Sequence, residues 1–195
     1  MVSTLERNQA ARRERVMQAA LELAADGGLD GVQMRDVAER ADVALGTLYR
    51  YFPSKEYLLV SILKTLVDGH IEGLRQNPPS GDTPEARVME VLRRAVPLHP
   101  ERDVFEAMVR ALASADDSIS DIFVDINASM TVSLTGAMAE GEPTERDLAV
   151  ARILQQVWLA AAIGWIGGLE GKNRIIEDLE VAVALLIGTD FDREA

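Results

Sequence analysis

The sequence predicts an all-α protein, and three observations carry that prediction. Apolar residues recur with helical spacing in about nine separate stretches. No segment of useful length alternates apolar and polar residues in the two-residue rhythm of a strand. Start and stop signals fall where helices need them, as in Thr83-Pro84-Glu85 and Gly27-Gly28.

The first helix is expected over about Gln9 to Asp26, with Val16, Ala19, Ala20, Leu23 and Ala24 as its apolar stripe. Gly27-Gly28 ends it, and Leu29 and Val32 pack back. A second, short helix runs from Met34 to Ala41, with Val37, Ala38 and Ala41 inward. Asp42-Val43-Ala44 turns the chain into a third, Leu45 to Phe52, whose inward pair is Leu48 and Phe52 at i and i+4. Ser54 caps a fourth helix that reaches about Arg75 through Leu58, Leu59, Ile62, Leu66 and Ile71. Asn77-Pro78-Pro79-Ser80-Gly81-Asp82 is the clearest break in the chain.

The fifth helix follows Thr83, runs to about Val96 and carries Val88, Met89, Leu92 and Val96. Pro97 and Pro100 bracket a connection to a sixth, about Glu101 to Ala115. The seventh spans about Ser118 to Glu140, the eighth is capped by Thr144 and reaches about Leu169, and the ninth covers about Arg174 to Ile187. Functionally the chain divides at 53/54, into a three-helix module at 1–53 and a larger helical part at 54–195.

Composition narrows the class. The 195 residues are 48% hydrophobic and include no cysteine, which excludes disulfides and thiolate metal sites and fits a cytoplasmic protein. No apolar run approaches the roughly 20 residues of a membrane span, and the charged start MVSTLERNQAARRER lacks a signal-peptide core. The net charge of −12 argues against nucleic acid only until it is mapped. Residues 1–55 hold eight basic and eight acidic side chains, so the excess lies wholly in the remainder. Arg7, Arg12, Arg13 and Arg15 crowd the start of the module, a set suited either to a duplex or to a solvated helix start.

The third helix is poorly explained by stability. It spends a glycine, worth about 1 kcal/mol less than alanine in a helix, and offers tyrosines to solvent. The same set suits a DNA major groove. Gly46 lets backbone approach base edges, Thr47, Tyr49 and Tyr51 donate to phosphates, and Arg50 offers a fork of donors. Lys55 follows the Ser54 cap at a helix start that itself attracts phosphate. With Gln33, Arg35 and Leu45 at the two helix starts, these residues form the candidate DNA face.

The run Ala44-Leu45-Gly46-Thr47-Leu48-Tyr49-Arg50-Tyr51-Phe52-Pro53-Ser54-Lys55, preceded by Met34-Arg35-Asp36-Val37-Ala38, resembles the helix-turn-helix of the TetR family of bacterial transcriptional regulators. Ala44 and Gln33 depart from the Ser or Thr, and the Thr, that the family often places there. The resemblance implies an N-terminal DNA-binding domain reading palindromic double-stranded operator DNA. It also implies a C-terminal effector-binding and dimerisation domain.

Two later features then gain meaning. Met89, Leu92, Phe105, Met108, Leu112, Ile126, Met130 and Trp158 fall at core spacing, and soft methionines can equally line a cavity. The resemblance implies an effector pocket there. Ala160, Gly164 and Gly168 repeat at i+4, and Leu179, Val183 and Leu186 form a second stripe. Either they are buried within one chain or, as the resemblance implies, they form the face of a homodimer.

A narrower resemblance is to the family's actinobacterial repressors of cholesterol and steroid catabolism. It rests on Glu106-Ala107-Met108, Arg110-Ala111, Gly141-Glu142-Pro143-Thr144-Glu145, Ala151-Arg152-Ile153, Val157-Trp158-Leu159 and Leu185-Leu186-Ile187-Gly188. It implies a small apolar effector, a steroid or fatty acyl group carried as its coenzyme A thioester. Arg93, Arg94 and Arg110 could meet its phosphates or simply be solvated.

Catalysis has no foothold. His70 and His99 lack a Glu three residues upstream, and there is no HExxH, Walker A run or GxSxG elbow. No enzyme, cofactor or metal is expected. A drug-efflux regulator and a helical lipid carrier without DNA binding remain the alternatives.

Overall fold

The computed structural model describes residues 4–96, 102–113, 117–139 and 141–188. Among them are nine helices and no strand: α1 (Thr4–Gly31), α2 (Met34–Arg40), α3 (Leu45–Tyr51), α4 (Lys55–Gln76), α5 (Pro84–Ala95), α6 (Arg102–Ala113), α7 (Asp117–Met138), α8 (Glu145–Ile166) and α9 (Asn173–Ile187). Pro97, His99, Pro100 and Glu101, named in the expected connection, lie outside the described residues.

The chain forms two compact units, Met1–Lys64 with His99–Phe123, and Thr65–Leu98 with Val124–Ala195. In the first, α1 packs on α2 and on α6. Sequence alone placed α6 with the later helices, because a contact between segments so far apart leaves no local trace. Val16, Ala20, Ala24, Val37, Leu48, Phe52, Leu58 and Ile62 are fully or almost fully buried in this unit. The i, i+4 spacing of Leu48 and Phe52 did identify the inward side of α3.

α1 starts earlier than expected and breaks where expected. Its regular helix breaks at Gly27-Gly28, and Gly28 takes φ 59°, ψ −153°, a conformation in which a Cβ would be strained. The chain then makes one further helical turn to Gly31.

In the second unit, α9 packs against both α5 and α8. Caps set the boundaries: the Thr83 Oγ1 accepts from the Ala86 N–H at 3.2 Å. Thr144 and Asp147 form a reciprocal capping box at the start of α8. The expected break at 77–82 is fastened rather than loose. Arg94 donates to the Asn77 carbonyl at 2.6 Å, and the Ser80 N–H donates to Glu90 at 2.9 Å. Arg87 donates to the Gly81 carbonyl at 3.2 Å and to the Ala137 carbonyl, in the last turn of α7, at 2.9 Å. A Cβ on Gly81 would stand 2.6 Å from that of Ala86, so only glycine lets the segment lie this close to α5.

One expectation needs correction. α8 is long and apolar enough to cross a membrane by length and composition alone. Its charges cluster at Glu145, Arg146, Asp147 and Arg152, leaving its second half without any. Here it buries one side, Val150, Ala151, Leu154, Ala161 and Ala162, packs on α9, and leaves its other side uncovered.

Candidate nucleic-acid interface and effector-facing residues

The hairpin of α2 and α3 turns at Asp42, whose φ of 53° is the left-handed conformation that Asp tolerates better than most residues. Neither short helix has a side-chain N-cap: Ala44 offers none, and Gln33 Nε2 donates instead to the Asp30 carbonyl at 3.0 Å. Each missing cap costs on the order of 1 kcal/mol, so the hairpin depends on what surrounds it. Arg15 Nε donates to the Ala41 carbonyl, at the end of α2, at 3.3 Å. The Arg13 guanidinium lies 5.0 Å from the centre of the Phe52 ring. All four N-terminal arginines are exposed, and two of them, Arg13 and Arg15, also contact the hairpin. Nothing in the local sequence signals this, since both partners lie more than six turns of helix away in the chain.

The candidate DNA residues fall into two groups. Gln33, Arg35, Leu45, Gly46, Tyr49 and Arg50 are exposed. Thr47, Tyr51 and Lys55 are half-buried. A Cβ on Gly46 would meet no atom within 4 Å, so nothing inside the chain requires a glycine there. Arg50 lies 5.4 Å from the centre of the Tyr51 ring. Lys55 Nζ is 3.4 Å from the Leu29 carbonyl, tying α4 to the end of α1. Its expected capping partner is present, with Ser54 Oγ accepting from the Tyr57 N–H at 3.0 Å.

The candidate effector residues divide between the two units. Phe105 and Met108 on α6 are buried in the first, with Leu112 half-buried. Met89 and Leu92 are buried in the second, and Ile126, Met130 and Trp158 are half-buried there. The three arginines considered for phosphates all have carboxylate partners: Arg93 with Glu180 on α9, Arg94 with Glu90, and Arg110 with Glu106. The Ser80 N–H, with Arg94 adding its charge, holds the Glu90 carboxyl below its ordinary pKa.

The α8–α9 face needs a residue-by-residue correction. Ala160 and Gly168 are exposed, and Gly164 and Leu186 half-buried. Leu179 and Val183, expected on the same face, are 0% and 2% exposed and belong to the single-chain core. The uncovered side of α9 carries Val181 and Leu185 instead. Val181 and Leu185 continue the side of Arg174 and Asp178 at helical spacing, a pattern that the wholly apolar second half of α9 masks. Val157, Ala160, Gly164, Leu169, Val181 and Leu185 line a groove of about 610 Å³, with Arg174 bonded to Asp178 at 2.9 Å on its rim.

A short helix-turn-helix hairpin packed on the first helix, with a second helical unit in the same chain, is the arrangement of a class of bacterial regulator. Residues 16–62 match the model of the bacterial regulatory proteins of the tetR family, and 81–186 match a tetracyclin repressor-like C-terminal domain. The chain belongs to the TetR family of transcriptional regulators and is not an enzyme. It is 42% identical over 182 residues to the HTH-type transcriptional repressor KstR of Rhodococcus jostii, spanning 92% of this chain and 84% of that one. Among solved structures, a TetR transcriptional regulator from Rhodococcus sp. RHA1 is 32% identical with a TM-score of 0.82, covering 93% and 98% of the two chains. FadR of Thermus thermophilus, in complex with lauroyl-CoA, has the same fold at 23% identity, with a TM-score of 0.71 and 94% and 97% coverage. The carrier alternative falls with the family assignment.

Proposed function

We propose that the chain is a homodimeric repressor of lipid or steroid catabolism genes, released from its operator by an apolar effector such as an acyl-CoA thioester. The observation that carries this reading is the match to a KstR repressor over 92% of the chain, both domains included. In this reading residues 1–53 contact DNA, residues 54–195 bind the effector and dimerise, and the protein works in the cytoplasm.

Exposed donors on α3 support the DNA role. Tyr49 is 47% exposed although tyrosine favours a core, and a glycine sits where packing does not ask for one. The groove between α8 and α9 supports the dimer, with Ala160, Gly164 and Gly168 letting a partner helix lie close. Within the second unit, buried Met89 and Leu92 with half-buried Ile126, Met130 and Trp158 support apolar surroundings for the effector, while Phe105, Met108 and Leu112 belong to the first unit. For phosphates to reach Arg93 or Arg110, exposed ion pairs worth about 0–1 kcal/mol must open, which a thioester's charge can accomplish. Effector binding then shifts the population toward a spacing of the two α3 helices that no longer fits successive major grooves, roughly 34 Å apart.

A mobility-shift assay on a fragment of the gene's own upstream region tests this. The protein should retard the fragment, steroid-derived coenzyme A thioesters should release it, and free coenzyme A should not. Release by cationic drugs with no effect of thioesters would replace this reading with the efflux-regulator one.

A further inference from the structure

We propose that His70 is the residue that meets an oxygen of the effector, its Nε2 taking a hydroxyl or carbonyl group on an otherwise apolar ligand. This rests on the effector-responsive reading above and adds to it a residue and a polar group of the ligand. His70 lies on the second half of α4, half-buried, with Nε2 shut off from solvent and without a hydrogen-bond partner. In one tautomer that nitrogen is an N–H with no acceptor, in the other a lone pair with no donor, and either arrangement is unfavourable in a protein interior.

Its neighbours do not relieve it. Arg94, the charge that acts on the ring, is engaged by Glu90 and the Asn77 carbonyl. Burial first, and Arg94 second, push the imidazole below its ordinary pKa of 6.5, so the ring is neutral at pH 7. A neutral ring with a positive charge nearby repels a cation and offers no countercharge to an anion. It does offer one hydrogen bond to a neutral oxygen.

There is also room. Gly73 lies at i+3 from His70, on the same side of α4, and is half-buried; a Cβ there would meet no atom within 4 Å. Gly69, beside the histidine, is likewise not required by packing. Two glycines weaken a helix interior relative to alanine. His70 and Gly73, two residues that stability alone disfavours, therefore stand on one side of α4, as expected of a position kept for function.

The test uses the full chain and three coenzyme A thioesters of steroid acids: one with a ring ketone, one with a ring hydroxyl, one with neither. Calorimetric titration should show the parent preferring the oxygenated esters about tenfold, as one net hydrogen bond gives. His70→Phe should bind all three within about twofold of one another, with its melting temperature in the absence of ligand unchanged or raised. His70→Gln should keep part of the preference. An undiminished preference in His70→Phe overturns the proposal. So does a lower melting temperature in both unliganded variants, because the ring would then already have a partner in the empty protein. A parent that binds none of the three overturns the proposal together with the effector reading beneath it.

Discussion

α3 and α9 each leave one side uncovered, and the two sides differ in kind. α3 turns Gly46, Tyr49 and Arg50 outward, a backbone approach, a phenol and a fork of N–H donors. α9 turns Val181 and Leu185 outward, 59% and 57% exposed, beside a groove floored by small residues of α8. The first face can remain in water and still meet a polyanion. The second gains only by leaving water, at roughly 25 cal/mol per Å² of apolar surface covered. Exposure alone therefore does not define a binding face; the chemistry of what is exposed says whether the partner is DNA or protein.

The comparison breaks most visibly through the buried sides of the same helices. Phe52→Ala removes a fully buried ring beneath the recognition hairpin and should cost about 3–5 kcal/mol. The melting midpoint should drop and operator binding disappear with it; a parent-like melt would show that Phe52 does not anchor the hairpin. On α9, Leu179→Ala and Leu185→Ala make the same chemical change on opposite sides. Leu179→Ala should lower stability by about 2–5 kcal/mol at any protein concentration. Leu185→Ala should leave the fold intact and raise the dimer dissociation constant about tenfold, about 1.4 kcal/mol. Equal effects of the two on melting at high dilution would erase the distinction between the faces.

Arg50→Ala sharpens the other half. It should weaken operator binding by about 1–3 kcal/mol while moving stability by less than about 0.5 kcal/mol. The smallest effect concerns the start of α8. Thr144→Ala should cost about 1 kcal/mol by opening the capping box. Hydrogen bonds from the Thr144 side chain and backbone hold the Asp147 carboxyl below its ordinary pKa of 3.8. A lowered carboxylate stabilises above its unfolded pKa and loses that contribution as pH falls through the folded one. The gap between parent and Thr144→Ala in melting temperature should thus be full at pH 7 and shrink below about pH 4.

What could be read beforehand follows from the same two helices. Leu48 in α3 and Phe52 at its C-cap share one side at i and i+4, with Leu45 at the helix's exposed start. That pair sufficed to orient the helix and leave the donor face outward. In α9, Leu179, Val181, Val183, Leu185 and Leu186 are all apolar, so the outward side is marked only by the charges of the first half, and packing against α5 and α8 buries Leu179 and Val183. Caps at Ser54, Thr83 and Thr144 were legible because their partners are three residues away. The arginines that fasten the chain were not. Arg15 reaches Ala41, 26 residues on, and Arg87 reaches Ala137, 50 residues on. Such pairs exist only once the helices are packed. The state of His70 is illegible for a related reason: the sequence shows a histidine, but only packing shows that its Nε2 has no hydrogen-bond partner.

One measurement tests most directly whether the two uncovered faces do separate work. Sedimentation of the parent, Arg50→Ala and Leu185→Glu, each alone and with a labelled operator duplex, reads assembly and DNA binding together. The parent should be a dimer that carries the duplex, and Arg50→Ala a dimer with weakened hold on it. Leu185→Glu should be a folded monomer that has lost most of its operator affinity. A Leu185→Glu protein that remains dimeric and binds the operator as the parent does would contradict the account.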